Sequence, residues 1–131
     1  VKIKTSELGG SALDWAVANA IGDFTPSKHF DDEGNLQRWA EHYSDYRPSI
    51  DWGQAGPIIE QYGISFREYF NPTSPSHGTF YARICRESGQ MVAWNKKSGR
   101  QQTGPTPLIA AMRCFVASTL GDEVDVPEAL L

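Results

Sequence analysis

Apolar positions along this chain recur with a helical period in several places, and between them the spacing shortens to the alternation of strands. Leu13, Ala16, Val17, Ala20 and Ile21 fall at i, i+3, i+4, i+7 and i+8, which is one face of a helix. Ser11 followed three residues later by Asp14 gives this helix a capping-box start, Trp15 lies on its flank and Gly22 stops it. A second helix is read over 51–63, with Pro57 near its first turn, Ile58, Ile59 and Tyr62 as its buried face, and Gly63 at its end. Gly53 and Gly56 each cost such a helix about 1 kcal/mol, so they predict close approach of its backbone to another element or to a ligand. The clearest helix starts at Thr106, the cap, with Pro107 in the first helical position. Its stripe of Leu108, Ala111, Met112, Phe115, Val116 and Leu120 runs to Gly121. Arg113 lies off that stripe and is expected to face solvent or to pair with an acid of the C-terminal tail.

Residues 2–5, 64–70, 79–86 and 91–95 read as strands, the last two flanking Glu87-Ser88-Gly89-Gln90 as a β-hairpin. The run 71–78 is rich in proline and small polar residues and reads as a loop. These elements predict an α+β fold in which one small antiparallel sheet, the N-terminal strand included, packs against two amphipathic helices. The short Gly-Pro helix lies at one edge, and residues 1–131 form a single globular domain. The segment 23–48 has no sustained period, apart from a short helix within 35–43. It carries His29, Trp39, His42, Tyr43 and Tyr46. Two readings of its rings stand: they cover one end of the core, or they form a binding surface.

Composition fits this picture. With 131 residues, 40% of them apolar, the chain is long enough to bury roughly two-thirds of its unfolded surface without metal or disulfide staples. Cys85 and Cys114 are too few for a disulfide framework and lack metal-ligand spacing, so a reduced, cytoplasmic setting in the host cell is expected. No apolar run approaches the roughly 18 residues of a membrane span, and no membrane association is expected.

Charge sharpens the functional reading. The net charge of −4 argues against duplex nucleic acid, whose sequence-independent binding needs a surplus of Lys and Arg. Yet Arg83, Arg86, Lys96, Lys97 and Arg100 face only Glu87 between positions 83 and 100, whereas Asp122, Glu123, Asp125 and Glu128 crowd the tail. The basic, glycine-punctuated stretch 96–105 runs directly into the helix that starts at Thr106. Cations, pliable backbone and free helix N–H groups in one place make an anion site. The candidate ligand-binding residues are therefore Arg83, Lys96, Lys97 and Arg100 for phosphate, Thr103 and the N–H groups near Thr106 for oxygen, and Trp52 or Trp94 to stack on a base. The bland alternative is a solvated hairpin edge.

Catalytic chemistry has little to stand on. His29, His42 and His77 show no HxH, HxxxH or HExxH spacing, and GxSxG, P-loop and GxGxxG motifs are absent from the sequence. Glu60 and Glu68 read as surface carboxylates. No enzyme, cofactor or resident metal is expected.

The segments KIKTSEL and ALDWAVA near the start, DWGQAGPIIE in the middle, and GPTPLIAAMRCFVASTLGDEVDVPEAL at the end resemble the NinX-type family of lambdoid bacteriophages and their prophages. The resemblance implies a small phage accessory protein encoded in the early, largely dispensable nin region, a setting that suits counter-defence. It brings no catalytic residues to carry over. Two functions are expected from the residues and this setting together. The first is non-enzymatic capture of a small phosphate-bearing, nucleotide-like ligand, with a homodimer as one way of enclosing it. The second is docking of a host or phage replication or recombination protein on the aromatic region around Trp39, Tyr43, Tyr46 and Trp52.

Overall fold

The computed structural model describes residues 1–68, 73, 75, 78–84, 86–87, 90–91 and 101–131, with positions 83, 84, 86, 87, 90 and 91 described in their backbone only. In chain order the elements are β1 (Lys2–Lys4), α1 (Gly10–Ile21), α2 (Asp32–His42), α3 (Trp52–Tyr62), β2 (Ile64–Glu68), β3 (Phe80–Ile84), β4 (Arg86–Glu87), β5 (Gln90–Met91), β6 (Gln102–Gly104), α4 (Pro107–Leu120) and β7 (Glu123–Asp125). Short 3-10 turns follow β1 and β7. The fold is α+β.

The core is built around α4. The apolar stripe expected on one face is too narrow a description, because Ala110, Ala111, Met112, Cys114, Phe115 and Val116 are all fully buried while Leu120 is exposed. A helix apolar on every side belongs in the middle of a fold, and α4 touches β2, β3 and β6 as well as α1 and α3. Its ends form as read from the sequence: Thr106 Oγ1 accepts the Ile109 N–H at 3.2 Å, Pro107 opens the first turn, and Gly121 closes the last. On α1, Leu13, Ala16 and Val17 are fully buried against this core. Its start departs from expectation: the N-cap is Gly9, which makes no side-chain bond, and Ser11 is exposed. Asp14 points elsewhere, as described below.

In α3, Pro57 lies mid-helix and not in the first turn. The N-cap is Asp51, whose Oδ1 accepts the N–H of Gly53 at 2.8 Å and of Gln54 at 3.4 Å. A side chain on Gly53 would press on that same Oδ1, and one on Gly56 would meet open space. Neither glycine therefore marks a close contact with another element. The close approach is at Gly104, where an added Cβ would sit 2.7 Å from the Ala110 nitrogen. Strand β6 lies directly on the first turn of α4.

Among the described residues the strands form two sheets and a minimal hairpin, not one sheet. β2, β3 and β6 are antiparallel in that order, with Phe66 opposite Ala82 and Ala82 opposite Gln102. β1 pairs instead with β7, Ile3 opposite Val124, so the N-terminal strand finds its partner in the acidic tail. Val124 and Val126 are buried, and their apolar contacts explain why a charged segment returns to the core. The hairpin pairs Glu87 with Gln90 across 88–89. Of the expected strand 91–95 only Met91 is described, and Cys85 and the loop residues 71, 72, 74, 76 and 77, His77 included, lie outside the described residues.

Candidate functional site

Alternation along the three-stranded sheet sorts its residues into two faces. Ile64, Phe66, Phe80, Ala82 and Gly104 share the face toward α4, and Ile64, Ala82 and Gly104 are buried there. The other face carries Ser65 and Arg67 on β2, Tyr81 on β3 and Thr103 on β6, with Arg67, Tyr81 and Thr103 in one cross-strand row. Arg67 and Thr103 are exposed and Tyr81 is partly so. The backbone of Arg83 pairs with that of Ser65, which gives position 83 the same parity. The side chain of Arg83, and all of Trp94, Lys96, Lys97 and Arg100, lie outside the described residues.

Among the expected ligand contacts that are described, Thr103 and Thr106 are three positions apart, Thr103 on the sheet face away from α4 and Thr106 at the start of α4, and Trp52 joins neither. Thr103 sits in the exposed edge strand two residues before Pro105, and Thr106 follows at once as the cap of α4. Part of the stretch read as pliable is thus ordered strand. The Thr106 hydroxyl already occupies one helix N–H, that of Ile109. Trp52, 54% exposed, leans on Phe66 with ring centroids 5.8 Å apart. That contact places it at the β2 edge and toward the α4-facing side, across the sheet from β6.

Arg113 was missed as part of this region. Its Nε donates to the Leu8 carbonyl at 2.7 Å and its Nη1 to the Thr103 carbonyl at 2.9 Å. It neither faces solvent alone nor pairs with the tail. Half-buried, it is pushed below the ordinary arginine range by desolvation, yet a guanidinium holds its proton, so a fixed positive charge lies at the backbone of β6. The signal was present in the sequence. Arg113 is the lone charged residue in the apolar run 107–120, and such a residue has to be satisfied from inside.

The region 23–48 supplies a second feature. Phe24 and Trp39 are buried, and the Trp39 and Tyr43 rings stack at 5.1 Å and 3°. Tyr46 meets both edge-on, and the Tyr43 hydroxyl donates to the Asp23 carbonyl at 2.6 Å. Arg38 lies 5.3 Å from the ring centroids of both Phe24 and Phe30. Phe24, Trp39, Tyr43 and Tyr46 cover one end of the core, and Trp39, Tyr43 and Tyr46 also wall a cleft of about 320 Å³. Asp14 and Ser49 lie at that cleft, with Arg47 and Ile50 on its rim. Asp14 is 5% exposed and its Oδ1 accepts the Ser49 N–H at 2.9 Å. Desolvation raises its carboxyl above the usual range, against the lowering effects of Ser49 and the nearby Arg47. Burial, followed by the charges of Asp23 and Asp14, pushes the Tyr46 hydroxyl up to about 12, so it stays a donor.

Residues 4–119 match the family described as Bacteriophage P22, NinX. The chain belongs to this NinX family. The matched span contains all of α1, α2 and α3, the three-stranded sheet and nearly all of α4, and with them both the β6 region and the aromatic cleft. β7 lies beyond it. No curated protein matches the chain. Among the described residues no group of His, Cys, Asp and Glu is arranged to hold a metal ion, and no helix is long and apolar enough to cross a membrane.

Proposed function

We propose that this phage accessory protein is a non-enzymatic binding module that captures a small anionic, nucleotide-like ligand beside β6, in the host cytoplasm and in the service of counter-defence. The observation that carries the reading is the cross-strand row Arg67, Tyr81 and Thr103 on one sheet face. The row lies beside the strand into which the basic residues Lys96, Lys97 and Arg100 lead. Arg67 and the basic segment offer charge-assisted hydrogen bonds to phosphate, Tyr81 offers a ring, and Thr103 a hydroxyl. Arg113, from α4, holds the β6 backbone in place through the Thr103 carbonyl. Sequestration asks for no bond making, which agrees with the missing catalytic motifs.

Titration calorimetry against mono-, di- and cyclic nucleotides tests this. Binding that disappears in the double variant Lys96→Glu, Arg100→Glu, and weakens at least tenfold in Arg67→Glu, is expected. Heats that persist unchanged in both variants would remove the reading.

A second reading, a docking site for a host or phage protein, is favoured by one observation. Ile50 and Trp52, 67% and 54% exposed, put two large apolar side chains on the surface within three positions, and a solvent-facing Trp is a common interface anchor. Capture of a partner from infected cells that is lost in Trp52→Ala, and kept in the Lys96, Arg100 double variant, would favour it.

A further inference from the structure

We infer that the cleft between α1, α2 and the 44–50 turn is a second binding site, selective for a cationic alkylammonium or guanidinium group, with Asp14 as the residue that recognises it. The cleft shares no residue with the β6 region and has the opposite chemical character.

The argument starts from the cost of Asp14. A carboxylate held 5% exposed gives up most of its hydration, and that loss is made good only by donors or a counter-charge. Its protein partners are modest: the Ser49 N–H at 2.9 Å, with the Ser49 hydroxyl beside it. Arg47, the cation whose charge acts on it, is exposed and turns its Nε to the Ser44 carbonyl at 3.3 Å. It acts on Asp14 through the field and makes no ion pair within 4.0 Å. The carboxylate thus opens onto a space of about 320 Å³ while incompletely compensated.

The remaining walls fit the same guest. Tyr43, Tyr46 and the edge of Trp39 line the cleft, and aromatic rings beside a carboxylate are the combination that selects a desolvated cation. An anion would meet Asp14, and a neutral apolar group would leave its charge buried without relief. The volume is in the range of small-ligand pockets and takes one guanidinium or alkylammonium group with a short aliphatic stem. Ile50, 67% exposed on the rim, is placed to cover that stem. Arg47 is a competitor for Asp14, so its removal should strengthen binding, which a merely structural reading of Asp14 does not foresee.

The test is an NMR titration of the intact protein with three probes: Nα-acetyl-arginine amide, spermidine, and Nα-acetyl-citrulline amide as the neutral isostere of the first. Saturable shifts of the Trp39 indole N–H and the Tyr43 and Tyr46 ring protons are expected from a cationic probe, at an affinity of about 1 mM, and none from citrulline. Asp14→Asn keeps an oxygen for the Ser49 N–H and so preserves the fold; it should weaken the cation at least tenfold. Arg47→Ser should tighten it several-fold. A response to spermidine alone identifies a free polyamine, and a response to the arginine probe identifies a basic side chain. Equal shifts from citrulline, an unchanged affinity in folded Asp14→Asn, or no saturable response to either cation would overturn the inference.

Discussion

The carboxylate of Asp14, on α1, accepts the backbone N–H of Ser49 at 2.9 Å across 35 positions of chain. This bond ties the turn that precedes α3 to the first long helix, and it places a buried acid at the edge of the aromatic cluster. The burial of this acid, against the effect of the bond, also sets a pH dependence. Because desolvation raises the folded-state pKa of Asp14 above 3.8, at pH values between the unfolded and folded pKa the folded chain holds a proton there that the unfolded chain has released. The associated stability is full below the unfolded value and is lost as pH rises through the folded one.

At neutral pH the buried charge is therefore a net cost, and Asp14→Asn should melt higher than the parent at pH 7. The difference between the two proteins should shrink as both are acidified toward pH 3.8. A lower melting temperature for Asp14→Asn at pH 7 would show that the charge stabilises the fold after all.

Gly104 and Gly56 should respond to alanine with opposite signs. At Gly104 the new methyl would lie 2.7 Å from the Ala110 nitrogen, and forcing β6 off α4 should cost about 1–3 kcal/mol. At Gly56, inside α3 with open space around it, the same change should add about 1 kcal/mol of helix propensity. Urea midpoints of the two variants decide the matter.

Removing the Arg113 guanidinium should be expensive out of proportion to its exposure. Arg113→Met leaves the carbonyls of Leu8 and Thr103 without their donors, a loss of about 2–3 kcal/mol. Arg113→Lys, lacking the planar fork, should fall between. If a denaturation curve places Arg113→Met within 0.5 kcal/mol of the parent, roughly what an ordinary surface change does, Arg113 does not hold β6.

Thr106 serves the fold as a cap, and the expected cost of Thr106→Ala is about 1 kcal/mol, with Thr106→Ser close to neutral. Should nucleotide binding survive Thr106→Ala at unchanged affinity while stability drops, the hydroxyl belongs to the helix and not to the ligand.

Elements with local causes could be read from the order of residues alone. The periods of α1 and α4, the Thr106-Pro107 start, the Gly22, Gly63 and Gly121 stops, and the strands read over 64–70 and 79–86, of which 64–68 and 80–84 form β2 and β3, were legible, because each depends on residues within a turn or two. The family could be named from contiguous blocks for the same reason. Tertiary structure alone decided what depends on distant partners. β1 pairs with β7 because the buried Val124 and Val126 bring the tail back to the core, not because of anything near β1. β6 emerges inside a glycine-punctuated basic stretch because β3 supplies its ladder and Gly104 lets it lie on α4. Asp14 reads as a cap and Arg113 as a surface charge, since a side chain's sequence neighbours do not reveal what packs over it. One bonds across 35 positions and the other across 105. The row Arg67, Tyr81 and Thr103 exists only through strand register, which is set by long-range packing of the opposite face, so that part of the candidate site could not be read before the sheet was assembled.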